Sequence, residues 1–282
     1  HGTTGAVLRR RAAAASLRDT MHATPARQSD PLPAHRVREM LGQIGRVSVA
    51  VCGDFCLDAY WMLNPRGGEV SAETGLRAEA VGRHYYSLGG AANVVANVAA
   101  LRPARVRAIG IVGDDIFGRE LLRQLHGLAV DTAGMVVQPA RFDTVTYGKR
   151  YGDDQEAPRL DFGFFNERSE DTDAAVLSHL RLAVEQCDAV IFNQQVPGGL
   201  SEAFIAGLNA LFDACEGRIV LCDARHYGAR FRQVCRKTND AEAARLDGAG
   251  PGPMAHPALP ELEAFAAGLY AASGKPVFVT RG

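Results

Sequence analysis

The chain has 282 residues, 47% of them apolar and 22% charged, with a formal net charge of −1. This is the composition of an ordinary globular protein, and so even a balance gives no global attraction to nucleic acid or to an anionic membrane. No run reaches the ~18 apolar residues that a spanning helix needs. Cys52, Cys56, Cys187, Cys215, Cys222 and Cys235 form no Cys-x-x-Cys pair. Their scatter predicts reduced, buried thiols in a cytoplasmic protein, not a disulfide frame or a zinc site.

Residues 1–38 carry seven Arg against two Asp and are rich in Ala, Ser, Thr and Pro. With no sustained period they read as a disordered leader. Abundant Arg and scarce acid suit a transit peptide. A translated upstream segment ahead of a start at Met21 is the other reading, favoured by His1 as first residue.

Residues 39–282 read as one α/β domain. VSVAVC (47–52) is an apolar, β-rich run closed by Gly53-Asp54. Strands are predicted over 59–63 and 76–81. GAANVVANVAAL (90–101) is apolar on almost every face, as a buried helix is. A strand over 105–113 and an amphipathic helix over 116–125 follow. Residues 144–151 and 159–162 alternate like exposed strands.

The second half then repeats one rhythm. Helices 172–186 and 200–215 precede strands 188–192 and 218–223. Helices 239–247 and 260–272, joined by a Gly/Pro-rich loop over 248–260, precede a strand over 276–280. Apolar strands alternating with amphipathic helices specify a doubly wound, mainly parallel sheet covered on both faces. Ligands bind such sheets beyond the carboxyl ends of the strands. That rule picks out Gly53, Asp54, Gly113, Asp114, Asn193, Asp223 and Thr280. The polar strands near 59–81 and 144–162 do not suit the main sheet and predict a small β lid.

Ser87-Leu-Gly-Gly-Ala-Ala-Asn93 is the most informative stretch. Two glycines at a helix start let backbone amides approach an oxygen-rich or anionic ligand. Asn93 and Asn97 lie one turn apart on the same face. A tight turn and a helix-terminal hydrogen bonder would use the same residues, and the sequence leaves both readings open. The stretch is not the dinucleotide Gly-x-Gly-x-x-Gly fingerprint, and no early strand is predicted close before it, which counts against an NAD-dependent enzyme. In Gly53-Asp-Phe-Cys-Leu-Asp58 a carboxylate just past the first strand can accept hydrogen bonds from sugar hydroxyls. A turn-capping role suits Asp54 better than Asp58.

Taken in order, Gly53-Asp54, Asp58, Tyr60-Trp61, Gly89-Gly90-Ala-Ala-Asn93, Gly113-Asp114-Asp115 with Gly118, Arg159-Leu-Asp161, Asp223, Asn239-Asp-Ala-Glu242 and Val279-Thr-Arg-Gly282 resemble the ribokinase/PfkB family of carbohydrate kinases. The resemblance covers roughly residues 46–282. It looks nearest to the bacterial heptose-phosphate kinase branch, where Asp-x-Tyr-Trp and Arg-Leu-Asp recur.

The resemblance implies a ribokinase-like fold and transfer of phosphate from ATP, with Mg2+, to a hydroxyl of a small sugar or sugar phosphate. It implies a substrate set of Asp58, Gly89, Gly90, Asn93, Arg159 and Asp161. Asn239, Glu242, Thr280 and Gly282 fall on the nucleotide side, with Glu242 near the metal. The pair Asn239 and Glu242 is also the signature of a helix capping box. An exposed lid edge would suit pairing with a second subunit.

Three departures stand out. The family's Gly-Ala-Gly-Asp loop, which supplies the general base, is absent from these residues. The base is expected beyond Gly282, so the 282 residues alone are expected to bind without turnover. Asn193-Gln-Gln-Val-Pro-Gly-Gly199 stands where the heptose branch tends to carry a Lys-containing turn. Tyr147 stands where that branch often has Lys, although Lys149, Arg150 and Arg159 keep positive charge in the lid. A non-catalytic sugar- or nucleotide-binding relative is the alternative.

Overall fold

A computed structural model describes residues 32–64, 66–153, 155–215, 217–248 and 257–281. Helix α1 (Ala34–Gln43) belongs to a unit of its own, residues 1–43, and none of its residues is buried. It begins inside the stretch assigned to the leader, so residues 34–38 are helical; residues 1–31 lie outside the described ones.

The second unit, residues 44–282, is built on a seven-stranded sheet. Its strands are β1 (Ser48–Gly53), β4 (Arg105–Gly113), β5 (Asp131–Gln138), β9 (Ala189–Gln194), β10 (Ile219–Ala224), β11 (Cys235–Asn239) and β12 (Val277–Thr280). They lie in the order β12-β11-β10-β9-β1-β4-β5, every pair parallel. In β1, Ala50 and Cys52 face one core and Val51 the other. Such two-sided burial is why central parallel strands read as unbroken apolar runs.

Helices α4 (Glu170–Gln186) and α5 (Glu202–Asp213) cover the first face with Val176, Leu180, Leu208 and Phe212. Helices α2 (Gly90–Ala100) and α3 (Ile116–Gly127) cover the second with Ala91, Ala92, Val95, Leu121 and Leu125. Two further helices, α6 (Asp240–Leu246) and α7 (Leu259–Ser273), complete the order. The described part of the predicted 248–260 loop is short, because residues 249–256 lie outside the described ones.

A second sheet of five strands stands apart in pairing. It comprises β2 (Phe55–Asn64), β3 (Ala80–Gly89), β6 (Thr146–Gly152), β7 (Gln155–Glu156) and β8 (Leu160–Phe162). The order is β3-β2-β6-β7, with β8 also on β6. The predicted strand over 76–81 is corrected: the pairing strand runs from Ala80 to Gly89 and leads directly into α2. A strand therefore does precede the Gly-Gly turn, but it is antiparallel to β2 and belongs to the small sheet. Strands β5 and β11 were not predicted. All six cysteines are free and five are buried, and burial pushes the Cys52 and Cys222 thiols up to about 12. No helix among the described residues is long and apolar enough to cross a membrane.

Candidate functional site

Residues in register across the small sheet share a face. Ser87, Asp58, Tyr147 and Asp161 form one such row across β3, β2, β6 and β8. Two residues along β2, Tyr60 pairs with Tyr85 and Lys149. Lys149 Nζ lies 3.1 Å from Asp58 Oδ1 and 3.1 Å from Tyr60 Oη, and 4.8 Å from the centre of the Tyr60 ring. Burial works against the ammonium, but the bonds to Tyr60 and Asp58 outweigh it and raise the Lys149 pKa. Tyr60 is stacked on Tyr85 at 4.5 Å, which fixes the whole group.

Gly89 and Gly90 close this corner. A Cβ on Gly89 would lie 3.3 Å from Asp58 Oδ2. Gly90 has φ +52°, and a Cβ there would meet Asp54 O at 2.4 Å. Glycine is required because the turn from β3 into α2 passes against the β1–β2 connection, where Ala91 N donates to Asp54 O at 2.8 Å. The amide end of α2 is left free of any side-chain cap.

Arg159 and Asp161 meet each other in a bidentate pair, Nε to Oδ1 at 2.5 Å and Nη2 to Oδ2 at 2.7 Å. Asp161 raises the Arg159 pKa. The guanidinium also lies over the Tyr147 ring at 4.4 Å. Burial, then the neighbouring Cys56, push the Tyr147 phenol up to about 12. Asn93 sits in the first turn of α2, exposed, with its Oδ1 3.5 Å from Asn97 Nδ2.

Asp54 does something else. Its half-buried carboxylate accepts from the amides of Gln195 at 2.7 Å and Val196 at 2.8 Å, and from Gln194 Nε2 at 3.4 Å. Burial raises its pKa in spite of those bonds. Gln194 in turn accepts at Oε1 from the amides of His226 at 3.0 Å and Tyr227 at 3.3 Å. One buried side chain thus ties the β1 end to the loops after β9 and β10. Sequence reasoning gave Gln194 no role, since a lone Gln in a strand carries no signal.

The second group gathers at the carboxyl ends of β9 to β12. Asn239 opens α6 as a capping box: its Oδ1 accepts from Glu242 N at 2.8 Å, and Glu242 Oε2 accepts from Asn239 N at 3.0 Å. Glu242 Oε1 lies 3.8 Å from Arg225 Nε. Thr280 pairs in register with Asn239, and its hydroxyl donates to Thr238 O at 3.3 Å. Asp223 Oδ2 receives Lys237 Nζ at 3.1 Å and Asn193 Nδ2 at 3.5 Å. Asn193 Oδ1 and Thr238 Oγ1 are buried with no hydrogen-bond partner. Lys237 was not singled out from sequence, because β11 itself was not. Gly282 lies outside the described residues.

The structure therefore brings together Asp58, Gly89 and Gly90, joins Arg159 to Asp161 through the same sheet face, and groups Asn239, Glu242 and Thr280. Asn93 bonds only within its own helix.

Residues 62–225, more than half of the chain, match the family described as pfkB family carbohydrate kinase. The bifunctional protein HldE of Wolinella succinogenes is 33% identical over 157 residues, covering 55% of this chain and 32% of that protein. Across the curated relatives first matched, the chain spans about a third to two fifths of their length. Two solved structures share the fold. Phosphofructokinase-2 from Escherichia coli, in a tetrameric inhibited form, gives a TM-score of 0.60 at 16% identity, covering 84% of this chain and 74% of that one. Ribokinase from Arabidopsis thaliana, complexed with ribose and ATP, gives 0.57 at 16%, covering 82% and 70%.

Proposed function

The chain belongs to the pfkB family of carbohydrate kinases, and from that membership we propose that it holds the acceptor and nucleotide sides of an ATP-dependent sugar kinase. One observation carries the reading. The Asp58 carboxylate is fixed by Lys149 at 3.1 Å while Gly89, with no Cβ, leaves its other oxygen open near a helix N-terminus that has no side-chain cap. A carboxylate held this way accepts hydrogen bonds from adjacent hydroxyls, and the amide end of α2 favours oxygen-rich groups. Asn93, Arg159 and Asp161 complete the acceptor set, under the small sheet acting as a lid.

The nucleotide falls to Asn239, Glu242 and Thr280, with Asp223 and Lys237 beside them. Phosphoryl transfer rests on positioning and charge neutralisation, and Lys237, paired with Asp223, and Arg225, beside Glu242, are the cations of this group. A magnesium ion suits this donor set only if phosphates and water supply most of its shell. Among the described residues no three His, Cys, Asp or Glu side chains converge as a metal cage. Mg2+ keeps several waters and takes one or two carboxylates, which Glu242 and Asp223 can provide. When bound it would neutralise charge on the transferring group.

Arabidopsis ribokinase, whose structure is complexed with ribose and ATP, supports the pair of ligands. The resemblance of Asp58-Ala-Tyr-Trp61 and Arg159-Leu-Asp161 to the heptose-phosphate kinase branch makes heptose phosphate the first acceptor to test, with fructose-type phosphosugars and unphosphorylated sugars next. No Gly-Ala-Gly-Asp loop occurs in these 282 residues, so turnover is tested on a form that also carries that loop. Magnesium-dependent ADP release with one sugar of such a panel is expected, together with binding but no turnover by the 282 residues. No release with any sugar would leave the alternative, a binding relative without catalysis. The outer edge of β3, ten residues long with Val81 and Tyr85 exposed, supports pairing of two subunits through the lid. Sedimentation equilibrium tests it, and a monomer at micromolar concentration would refute it.

A further inference from the structure

Phe164 and Phe165 follow β8 and are 70% and 89% exposed, their rings at 79° with centres 5.3 Å apart. Two adjacent exposed phenylalanines are costly unless something uses them. They do not sit on a loose loop. Asn166 Nδ2 donates to Asp143 O and Asn166 Oδ1 accepts from Asp143 N, both at 2.8 Å. Glu167 N donates to Arg141 O at 2.9 Å, and Gln138 Nε2 donates to Glu167 O at 2.7 Å. Gly163, with φ +79°, makes the turn that a Cβ would block at 2.9 Å from Asn166 Nδ2 and 3.0 Å from Asp143 O. The pair is presented outward by a fixed scaffold.

It walls a cavity of about 460 Å3 together with Asp114, Asp143, Asp161 and Asn166. That volume is in the range of small-molecule sites. Phe164 also lines a smaller cavity of about 160 Å3 that reaches Gly53, Asp54 and the Pro197-Gly198-Gly199 turn. Asp161 stands two strands from Asp58 in one register row, a separation of ~10 Å at ~4.8 Å per strand. That distance spans a second ring.

We propose that this cavity is a second-ring subsite. The acceptor carries, beyond the sugar ring held at Asp58, another ring with a flat apolar face. That face stacks on one of the two perpendicular rings and meets the edge of the other, as aromatic surfaces allow, and a saccharide ring's hydroxyls would reach Asp143 and Asp161. The inference rests on the acceptor site proposed above, and it extends the ligand from one ring to two.

The test is calorimetric titration of this chain with methyl and phenyl glycosides, and with a matched disaccharide, of ribose, fructose, mannose and a manno-heptose. Two-ring ligands are expected to bind at least tenfold tighter than the methyl glycoside of the same sugar. A gain with phenyl alone identifies an aromatic second ring, and a gain with the disaccharide identifies a saccharide. The variant F164S/F165S, both changes on the surface, should lose that advantage and keep the methyl glycoside affinity. Equal affinities in the unmodified chain, or an advantage that survives the double variant, overturns the subsite and leaves the acceptor site standing. Binding of neither class overturns the acceptor reading and the subsite with it.

Discussion

Lys149 on β6 donates to Asp58 Oδ1 and to Tyr60 Oη, at 3.1 Å each, both acceptors lying on the neighbouring strand β2. Asp58 and Lys149 are 21% and 22% exposed at the side chain, so the pair is half-wet and its role in folding is small. Its value is in aiming the carboxylate. Asp58→Asn removes a charge-assisted acceptor worth ~1.5–3 kcal/mol, and sugar affinity should fall ~10- to 100-fold with little change in Tm. Lys149→Met should cost less affinity, because the carboxylate remains. Titration of both variants against the best-binding sugar checks the order, which reverses if Lys149 is the main contact.

Gly89 and Gly90 should separate occlusion from strain. Gly89 has extended backbone, φ −121°, so Gly89→Ala is compatible with the chain path, and its methyl would press on Asp58 Oδ2 at 3.3 Å. Acceptor binding should drop with a Tm close to that of the unmodified chain. Gly90→Ala combines φ +52° with a contact of 2.4 Å to Asp54 O. It should lose ~1–3 kcal/mol of stability, the scale of one strained backbone position. Chemical denaturation of the two variants side by side is the measurement.

Asp54 predicts a pH dependence of stability. Burial raises its folded pKa above the ordinary 3.8. A carboxyl with a raised folded pKa stabilises the fold fully below its unfolded value and loses that contribution as pH rises through the folded one. Compared with Asp54→Asn, the unmodified chain should therefore lose relative stability as pH rises from 3.8. Tm recorded for both from pH 4 to 8 should show their difference shrinking or changing sign in that direction. A constant difference would mean that the bonds from Gln195 and Val196 hold the group ionised.

Much of this was legible because the central strands bury both faces and end in small or polar residues. Gly53, Gly113, Asn193, Asp223 and Thr280 fall at or one residue before strand ends, where sequence placed them. Strand β11, Cys-Arg-Lys-Thr-Asn, was not legible. Its side chains are polar, and what makes it a strand is pairing with Leu221 and Cys222 on one side and β12 on the other. The β3 boundaries failed for a similar reason, since Arg83-His-Tyr-Tyr-Ser87 shows no period-2 alternation and no clean apolar face. The Asp58–Lys149 contact joins parts of the chain 91 residues apart through the β2–β6 register, for which no local pattern exists.

The capping box at α6 allows a structural duty to be separated from a ligand duty. Asn239 and Glu242 satisfy each other's backbone amides at 2.8 and 3.0 Å, which by itself accounts for both residues as a helix start. Asn239→Ala removes the cap and should cost ~1 kcal/mol, within the 0.5–2 kcal/mol usual for such losses, whether or not nucleotide is present. Glu242→Gln keeps an oxygen for Asn239 N and removes only the charge. If Glu242 serves only the helix, Gln should be nearly silent in every assay. If it also faces magnesium and phosphates, Gln should leave Tm nearly unchanged and weaken magnesium-dependent nucleotide binding at least tenfold. Titration with ATP in the presence of Mg2+ and then of EDTA distinguishes the two, since only a metal-facing carboxylate makes the loss depend on the ion.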